Sequence, residues 1–193
     1  TSFLTFTITK ANSNISMLLN GTASNKSTNY PENSINVTAS TDSTASITLY
    51  RNGTTIDNPY INTSAAGTFN FTAVINENQN FTGNNVTYFW FLSKAASNIT
   101  LLLDSVADNK SITAGSSVNI TVNLTAGIGF VELYNAGTFI ANSSRFPYSN
   151  ASTFGSAGTF NITAFMFGNE NSTFNFTTLY VTVTAAPVET PTG

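Results

Sequence analysis

Apolar residues in this chain recur at every second position, in short runs separated by Gly, Asn, Ser and Asp. Phe69, Phe71 and Ala73 alternate with Thr68, Asn70 and Thr72. Tyr88, Trp90 and Leu92 alternate with Phe89 and Phe91, and Leu179, Val181 and Val183 with Tyr180 and Thr182. Successive side chains of an extended strand point to opposite sides, so this period of two predicts strands with one buried face. No stretch holds a 3.6-residue period. The expected architecture is all-β, in units of roughly 90 residues with six or seven short strands each, packed as antiparallel sandwiches.

The pattern runs through twice. Ser13-Asn14-Ile15-Ser16-Met17-Leu18-Leu19 matches Ser97-Asn98-Ile99-Thr100-Leu101-Leu102-Leu103, and Asn25-Lys26-Ser27 matches Asn109-Lys110-Ser111. Leu49-Tyr50 matches Leu133-Tyr134, each followed by a Gly-Thr turn at Gly53-Thr54 and Gly137-Thr138. Ala66-Gly67-Thr68-Phe69-Asn70-Phe71-Thr72-Ala73 matches Ala157-Gly158-Thr159-Phe160-Asn161-Ile162-Thr163-Ala164. The offset is 84 early (97 minus 13) and 91 late (157 minus 66), which places a loop insertion between Ile140 and Gly158. Tyr88 to Leu92 closes the first unit and Leu179 to Val183 the second.

The first ten residues, TSFLTFTITK, read as a third closing strand. Leu4, Phe6 and Ile8 fall on one face, and Phe3, Thr5, Thr7 and Thr9 on the other. With the offset of 84, Lys10 aligns with Lys94, Ala11 with Ala95, and Leu4, Phe6 and Ile8 with Tyr88, Trp90 and Leu92. Three closing strands thus serve two bodies. The expected division is residues 1–11 as a donor strand, 12–95 and 96–185 as two sandwiches, and 186–193 as a frayed tail containing Pro187 and Pro191. The short linker Ser93 to Ala96 predicts limited bending between the bodies. Thr1 is expected to be a mature end.

Composition narrows the chemistry. The chain has 193 residues, 8% charged and 41% hydrophobic, so disorder is not expected. Cys and His are absent, which removes disulfides, thiol chemistry and the usual soft-metal ligands. No basic run suggests nucleic acid, and no apolar run is long enough to span a bilayer. No cofactor and no metal are expected. With few ionisable groups, stability should change little from neutral to acidic pH.

Asn-x-Ser/Thr sequons are dense. The 18 sites are Asn14, Asn20, Asn25, Asn36, Asn52, Asn62, Asn70, Asn80, Asn85, Asn98, Asn109, Asn119, Asn123, Asn142, Asn150, Asn161, Asn171 and Asn175. Random placement of 27 Asn among this Ser and Thr content would give about 8, so the excess points to use as N-glycosylation sites. Ten have a large apolar middle residue, Val, Ile, Leu or Phe. In a strand this places Asn and Ser/Thr on the outer face and the middle residue in the core.

Catalysis finds little footing in the nine acidic residues. Glu77 and Glu170, each in an Asn-Glu-Asn triplet, read as turn features. Asp104 and Asp108 could attract a hard cation but lack a dense Asp/Gly loop. Lys10 and Lys94 could join an Asn through an isopeptide bond, as in some pilins, though nothing selects a partner. The 16 Phe and 7 Tyr could form a carbohydrate platform, but their alternation predicts that most lie in the core.

The Gly-Thr-Phe-x-Phe/Ile-Thr-Ala stretch resembles the penultimate strand of immunoglobulin-like surface domains, in their Cys-free bacterial and archaeal form. The implied fold is two tandem immunoglobulin-like antiparallel β-sandwiches preceded by an orphan N-terminal donor strand. The orphan strand, sequon density and charge-poor, Cys-free composition together resemble the archaeal threads of the Sulfolobales. Those are heavily N-glycosylated surface filaments of immunoglobulin-like subunits linked by an N-terminal donor strand. The resemblance implies an extracellular, non-enzymatic subunit whose partners are copies of itself and covalent glycans, serving adhesion, aggregation or biofilm formation. Phe3, Leu4, Phe6 and Ile8 would be the joining residues. Two other readings stand beside it. One is a fragment of a tandem array from an S-layer protein or adhesin stalk. The other is a carbohydrate-binding module.

Overall fold

A computed structural model of the protein describes residues 2–187. The chain divides into two compact units, with the division between Ser93 and Lys94. Every regular element among the described residues is a strand.

In the first unit, β1 (Ile15–Leu19), β3 (Ser34–Thr41) and β6 (Tyr60–Thr63) form one sheet in the order β1-β3-β6. The second sheet has the order β2-β8-β7-β4-β5, from β2 (Lys26–Asn29), β4 (Ile47–Arg51), β5 (Thr54–Ile56), β7 (Gly67–Ile75) and β8 (Asn84–Ser93). The second unit repeats the plan. Its three-stranded sheet is β14-β11-β9, from β9 (Asn98–Leu103), β11 (Ser117–Ala126) and β14 (Tyr148–Thr153). Its five-stranded sheet is β10-β16-β15-β12-β13, from β10 (Lys110–Thr113), β12 (Val131–Asn135), β13 (Thr138–Ser143), β15 (Gly158–Met166) and β16 (Asn175–Thr184).

Eight strands per unit exceed the expected six or seven because the opening strand is split. After Leu19 the chain turns at Asn20 and Gly21, both at positive φ, and crosses to the other sheet as β2. The crossing also creates one parallel pair per unit. Lys26 lies opposite Trp90, and Lys110 opposite Val181. All other strand pairs are antiparallel. The closing strands β8 and β16 are therefore internal, each held between a parallel and an antiparallel neighbour.

Each unit has its own core. Met17, Leu19, Ile35, Val37, Leu49, Phe71, Trp90 and Leu92 fill the first. Leu101, Leu103, Val118, Ile120, Leu133, Ile162, Val181 and Val183 lie in the second. The inward phase of each closing strand is the one expected from alternation. Trp90 also donates its Nε1–H to Thr28 Oγ1 at 2.8 Å, which ties β8 to β2 through the side chains.

The β4–β5 hairpin turns on Asn52-Gly53, with φ of 49° and 81°. This is the pair that a two-residue hairpin with both central residues left-handed prefers. At the matching turn between β12 and β13, Ala136 takes φ 48° before Gly137. Alanine has no polar side chain to offset the steric cost of that region. In unglycosylated protein, Ala136→Asn is expected to stabilise the second unit by about 0.5–1 kcal/mol, read as a rise in its melting temperature.

Candidate functional site

The N-terminal stretch and the sequon-bearing faces are the surfaces with a functional reading. Residues 2–10 form no ladder, in contrast to the strand expected from their alternation. A strand needs a neighbour, and both positions beside β8 are taken by β2 and β7. Phe3 is 89% exposed, Leu4 99%, Phe6 80% and Ile8 82%. Four large apolar side chains in succession therefore stand in water.

Where the stretch meets the first unit, the repeat is exact to the hydrogen bond. Ala11 N–H donates to Asn80 O at 2.9 Å, and Thr82 N–H donates to Ala11 O at 2.9 Å. Ala95 N–H donates to Asn171 O at 2.8 Å, and Thr173 N–H to Ala95 O at 2.9 Å. Ala11 and Ala95 hold the same place in their units, so Leu4, Phe6 and Ile8 precede Ala11 by the same counts as Tyr88, Trp90 and Leu92 precede Ala95. These bonds also move the expected boundaries. Lys10 and Ala11 anchor to the first unit, through the Lys10–Glu77 ion pair and the Ala11 bonds. Lys94 and Ala95 belong to the second, where Lys94 Nζ donates to Asn169 O at 2.6 Å. Of the expected tail, residues 186–187 carry no regular structure. Residues 188–193, like Thr1, lie outside the described part.

Several carboxylates have structural partners. Asp104 accepts from Asn119 N–H at 2.8 Å and pairs with Lys110 at 2.7 Å, so the proposed cation ligand already anchors a turn. The two Asn-Glu-Asn triplets are not equivalent. The matching turn residues are Asn78 and Asn169, whose Oδ1 atoms each accept two backbone N–H groups. By the same offset of 91, Glu77 corresponds to Gly168. Glu132 accepts the Tyr134 hydroxyl proton at 2.6 Å, which raises the Tyr134 pKa.

Three carboxyls titrate below the ordinary range. Asp42 is lowered by the Asn14 side-chain amide and backbone N–H, Glu77 by Lys10, and Asp104 by Lys110 and the Asn119 N–H. A lowered folded pKa stabilises the fold above the unfolded value of about 4, and that contribution fades as pH falls through the folded value. All three groups lie at the surface, where solvent screens them. The melting temperature is expected to be flat from pH 8 to about 5 and to decline gently below about 4. A cooperative acid transition near pH 5 in a denaturation series would contradict this.

The strand-borne sequons largely follow the expected phase. Asn36, Asn98 and Asn119 are exposed while Val37, Ile99 and Ile120 are buried, and Phe71 and Ile162 are buried behind Asn70 and Asn161. Asn175 reverses it. Its Nδ2 points inward and donates to Ser97 O at 2.5 Å, while Phe176 is 55% exposed. The matching residue in the first unit, Asn84, makes the same bond to Ser13 O at 2.6 Å and is not in a sequon. Mass-spectrometric peptide mapping of glycosylated protein is expected to find Asn175 unmodified and Asn36, Asn98 and Asn119 occupied.

The aromatic residues correct the expectation that most lie in the core. Among the phenylalanines, Phe71 and Phe154 are buried, while Phe89, Phe91, Phe130, Phe139, Phe167, Phe174 and Phe176 are exposed. On the second unit they gather on one outer face. Phe165 packs within 6.3 Å, centroid to centroid, of Tyr134, Phe167, Phe174 and Phe176. The closing hairpin carries apolar residues in both phases, so hydropathy alone gave no outward assignment. Registers Phe165↔Phe176 and Glu132↔Phe165 set Phe165 between Phe176 and Glu132 in one row across three strands.

Strand order decides the fold class. A three-stranded sheet faces a five-stranded sheet, the opening strand crosses between them, and the last two strands form a hairpin at the centre of the larger sheet. The two units are immunoglobulin-like β-sandwiches. No protein-family model matches the chain, and no curated protein is significantly similar to it. Tandem modules are among the solved structures similar to it. The fibronectin(III)-like modules of Clostridium thermocellum CbhA align over 92% of this chain and 98% of theirs, at 15% identity and a TM-score of 0.42. Titin domains Z1Z2, solved in complex with telethonin, align over 93% and 100%, at 16% identity and 0.47. Titin domains I67–I69 align over 89% and 67%, at 10% and 0.38. No helix among the described residues is long and apolar enough to cross a membrane.

Proposed function

We propose that this chain is a structural subunit of a heavily N-glycosylated extracellular filament, similar to the archaeal threads, assembled head to tail by donor-strand addition. The segment carrying Phe3, Leu4, Phe6 and Ile8 enters the body of the next copy, and its backbone completes a ladder at an open sheet edge. Such a contact joins different surfaces of two copies, so it does not close on itself and builds an open chain. The filament serves adhesion, aggregation or biofilm formation at the cell surface. The observation that carries this reading is the exposed apolar segment, in register with the closing strands yet without a strand partner among the described residues. The sequon density supports an outer surface covered in sugar. Its chemistry is structural, with no catalytic residue and no cofactor assigned.

Residues 11–193 and the full chain, compared by electron microscopy, test the reading. Filaments are expected from the full chain alone. The same filaments from both would remove the donor role. If neither polymerises and a peptide of residues 1–10 binds neither, a piece of a longer tandem array becomes the better reading.

A further inference from the structure

The two units share an arrangement on the outer face of the closing strand. Phe89 on β8 and Tyr180 on β16 occupy matching positions, and they are 38% and 47% exposed. Each ring stands between two sequon asparagines, one on the antiparallel neighbour and one immediately before the parallel neighbour. Opposite Phe89 on β7 is Asn70, and opposite Tyr180 on β15 is Asn161. On the other side, Asn25 Oδ1 accepts the Phe89 backbone N–H at 2.9 Å, and Asn109 Oδ1 accepts that of Tyr180 at 2.9 Å. Four sequons and two aromatic residues thus repeat at the same places.

The bond made by Asn25 and Asn109 has a specific consequence. It holds the carboxamide by its oxygen, beside the aromatic residue. The Nδ2 atom, where an N-linked sugar would be attached, has no hydrogen-bond partner among the described residues. A sugar on Nδ2 leaves that oxygen bond intact. The attachment point is therefore oriented before any glycan arrives. A pyranose has one face lined with C–H bonds, and an aromatic ring presents a negative face that such hydrogens favour. In the first unit Phe91 stacks on Phe89 at 6.1 Å and 16°, which widens the platform.

We infer that Phe89 and Tyr180 are stacking platforms for the first sugars of the N-glycans carried by Asn25 and Asn109. The glycan lies across the closing strand and covers a ring that is otherwise in water. Sugar and fold are then coupled: the glycan shields the strand that completes the five-stranded sheet. This rests on the sequons being used, part of the function proposed above.

The test uses the full chain from a host that attaches N-linked glycans. Ser27→Ala destroys the Asn25 sequon and keeps the Asn25 bond to Phe89. Phe89→Ser removes the ring. Melting temperatures are measured for the parent, each single variant and the double variant, with occupancy at Asn25 read by peptide mapping. Phe89→Ser is expected to lower the melting temperature by roughly 3–6 °C more in the chain glycosylated at Asn25 than in the Ser27→Ala background, the size of one aromatic contact in a domain of this length. Ser111→Ala with Tyr180→Ser should behave alike in the second unit. Equal losses in both backgrounds, with Asn25 occupied, would overturn the platform and leave the glycosylation reading standing. Dependence of the Phe89→Ser loss on the Asn70 sequon, removed by Thr72→Ala, would overturn the assignment to Asn25. An Asn25 found bare while other sequons carry sugar would overturn the inference too. No sugar anywhere would remove the glycosylation reading itself.

Discussion

Phe6→Asp is expected to abolish the proposed end-to-end joining and to leave both sandwiches folded. In the single chain Phe6 is 80% exposed and touches neither core, so its replacement costs the fold nothing. In the proposed joint the same side chain would be buried. Full burial of a Phe side chain contributes roughly 1.5–3 kcal/mol, and an unpaired carboxylate at that place adds a desolvation cost of several kcal/mol. Each 1.4 kcal/mol is about tenfold in affinity, so the joint weakens by several orders of magnitude. Thr5→Asp is the matched control. Thr5 lies on the opposite face of the extended segment, and its variant should still assemble. Electron microscopy reads the filaments, and a melting curve shared with the parent reads the fold. Filaments from Phe6→Asp indistinguishable from the parent's would remove the apolar face from the joint.

Trp90→Ala has the largest expected effect on stability. Trp90 is fully buried, packs against Phe69 with ring centroids 5.4 Å apart, and bonds to Thr28. Truncating a buried Trp costs about 3–5 kcal/mol through lost contacts and the cavity left behind. The loss of the Thr28 bond loosens β2 from β8 as well. For a domain of this size the first unit's melting temperature is expected to fall by on the order of 20 °C. The second unit has its own core and should melt where it did. Calorimetry that showed both units losing stability together would mean that the two cores are not independent.

Much of the fold was legible in the chain. The repeat located both units, and alternation placed Trp90, Leu92, Val181 and Val183 inward because burial of apolar surface leaves that pattern in any strand with one wet face. The Asn-x-Thr spacing put Asn36, Asn98 and Asn119 outside for the same reason. Three features needed tertiary structure. Leu4, Phe6 and Ile8 read as a strand, yet a strand exists only with a partner, and that partner is not in the periodicity. Asn175 matched the sequon pattern, but the bond to Ser97 turns it inward, and Ser97 lies 78 residues away. Phe165, Phe174 and Phe176 looked like core because hydropathy counts a Phe the same on either face.

The sequence by itself determined what is periodic: two antiparallel sandwiches, the inward phase of their closing strands, and a third copy of that strand's pattern at Leu4, Phe6 and Ile8. Tertiary structure alone decided what is relational. It showed that β8 and β16 already fill the closing positions, that the third copy stands exposed, and that Phe89 and Tyr180 each lie between two sequons. The physical reason is range. Alternation is written between neighbours in the chain, whereas hydrogen bonds and register join residues that folding brings together.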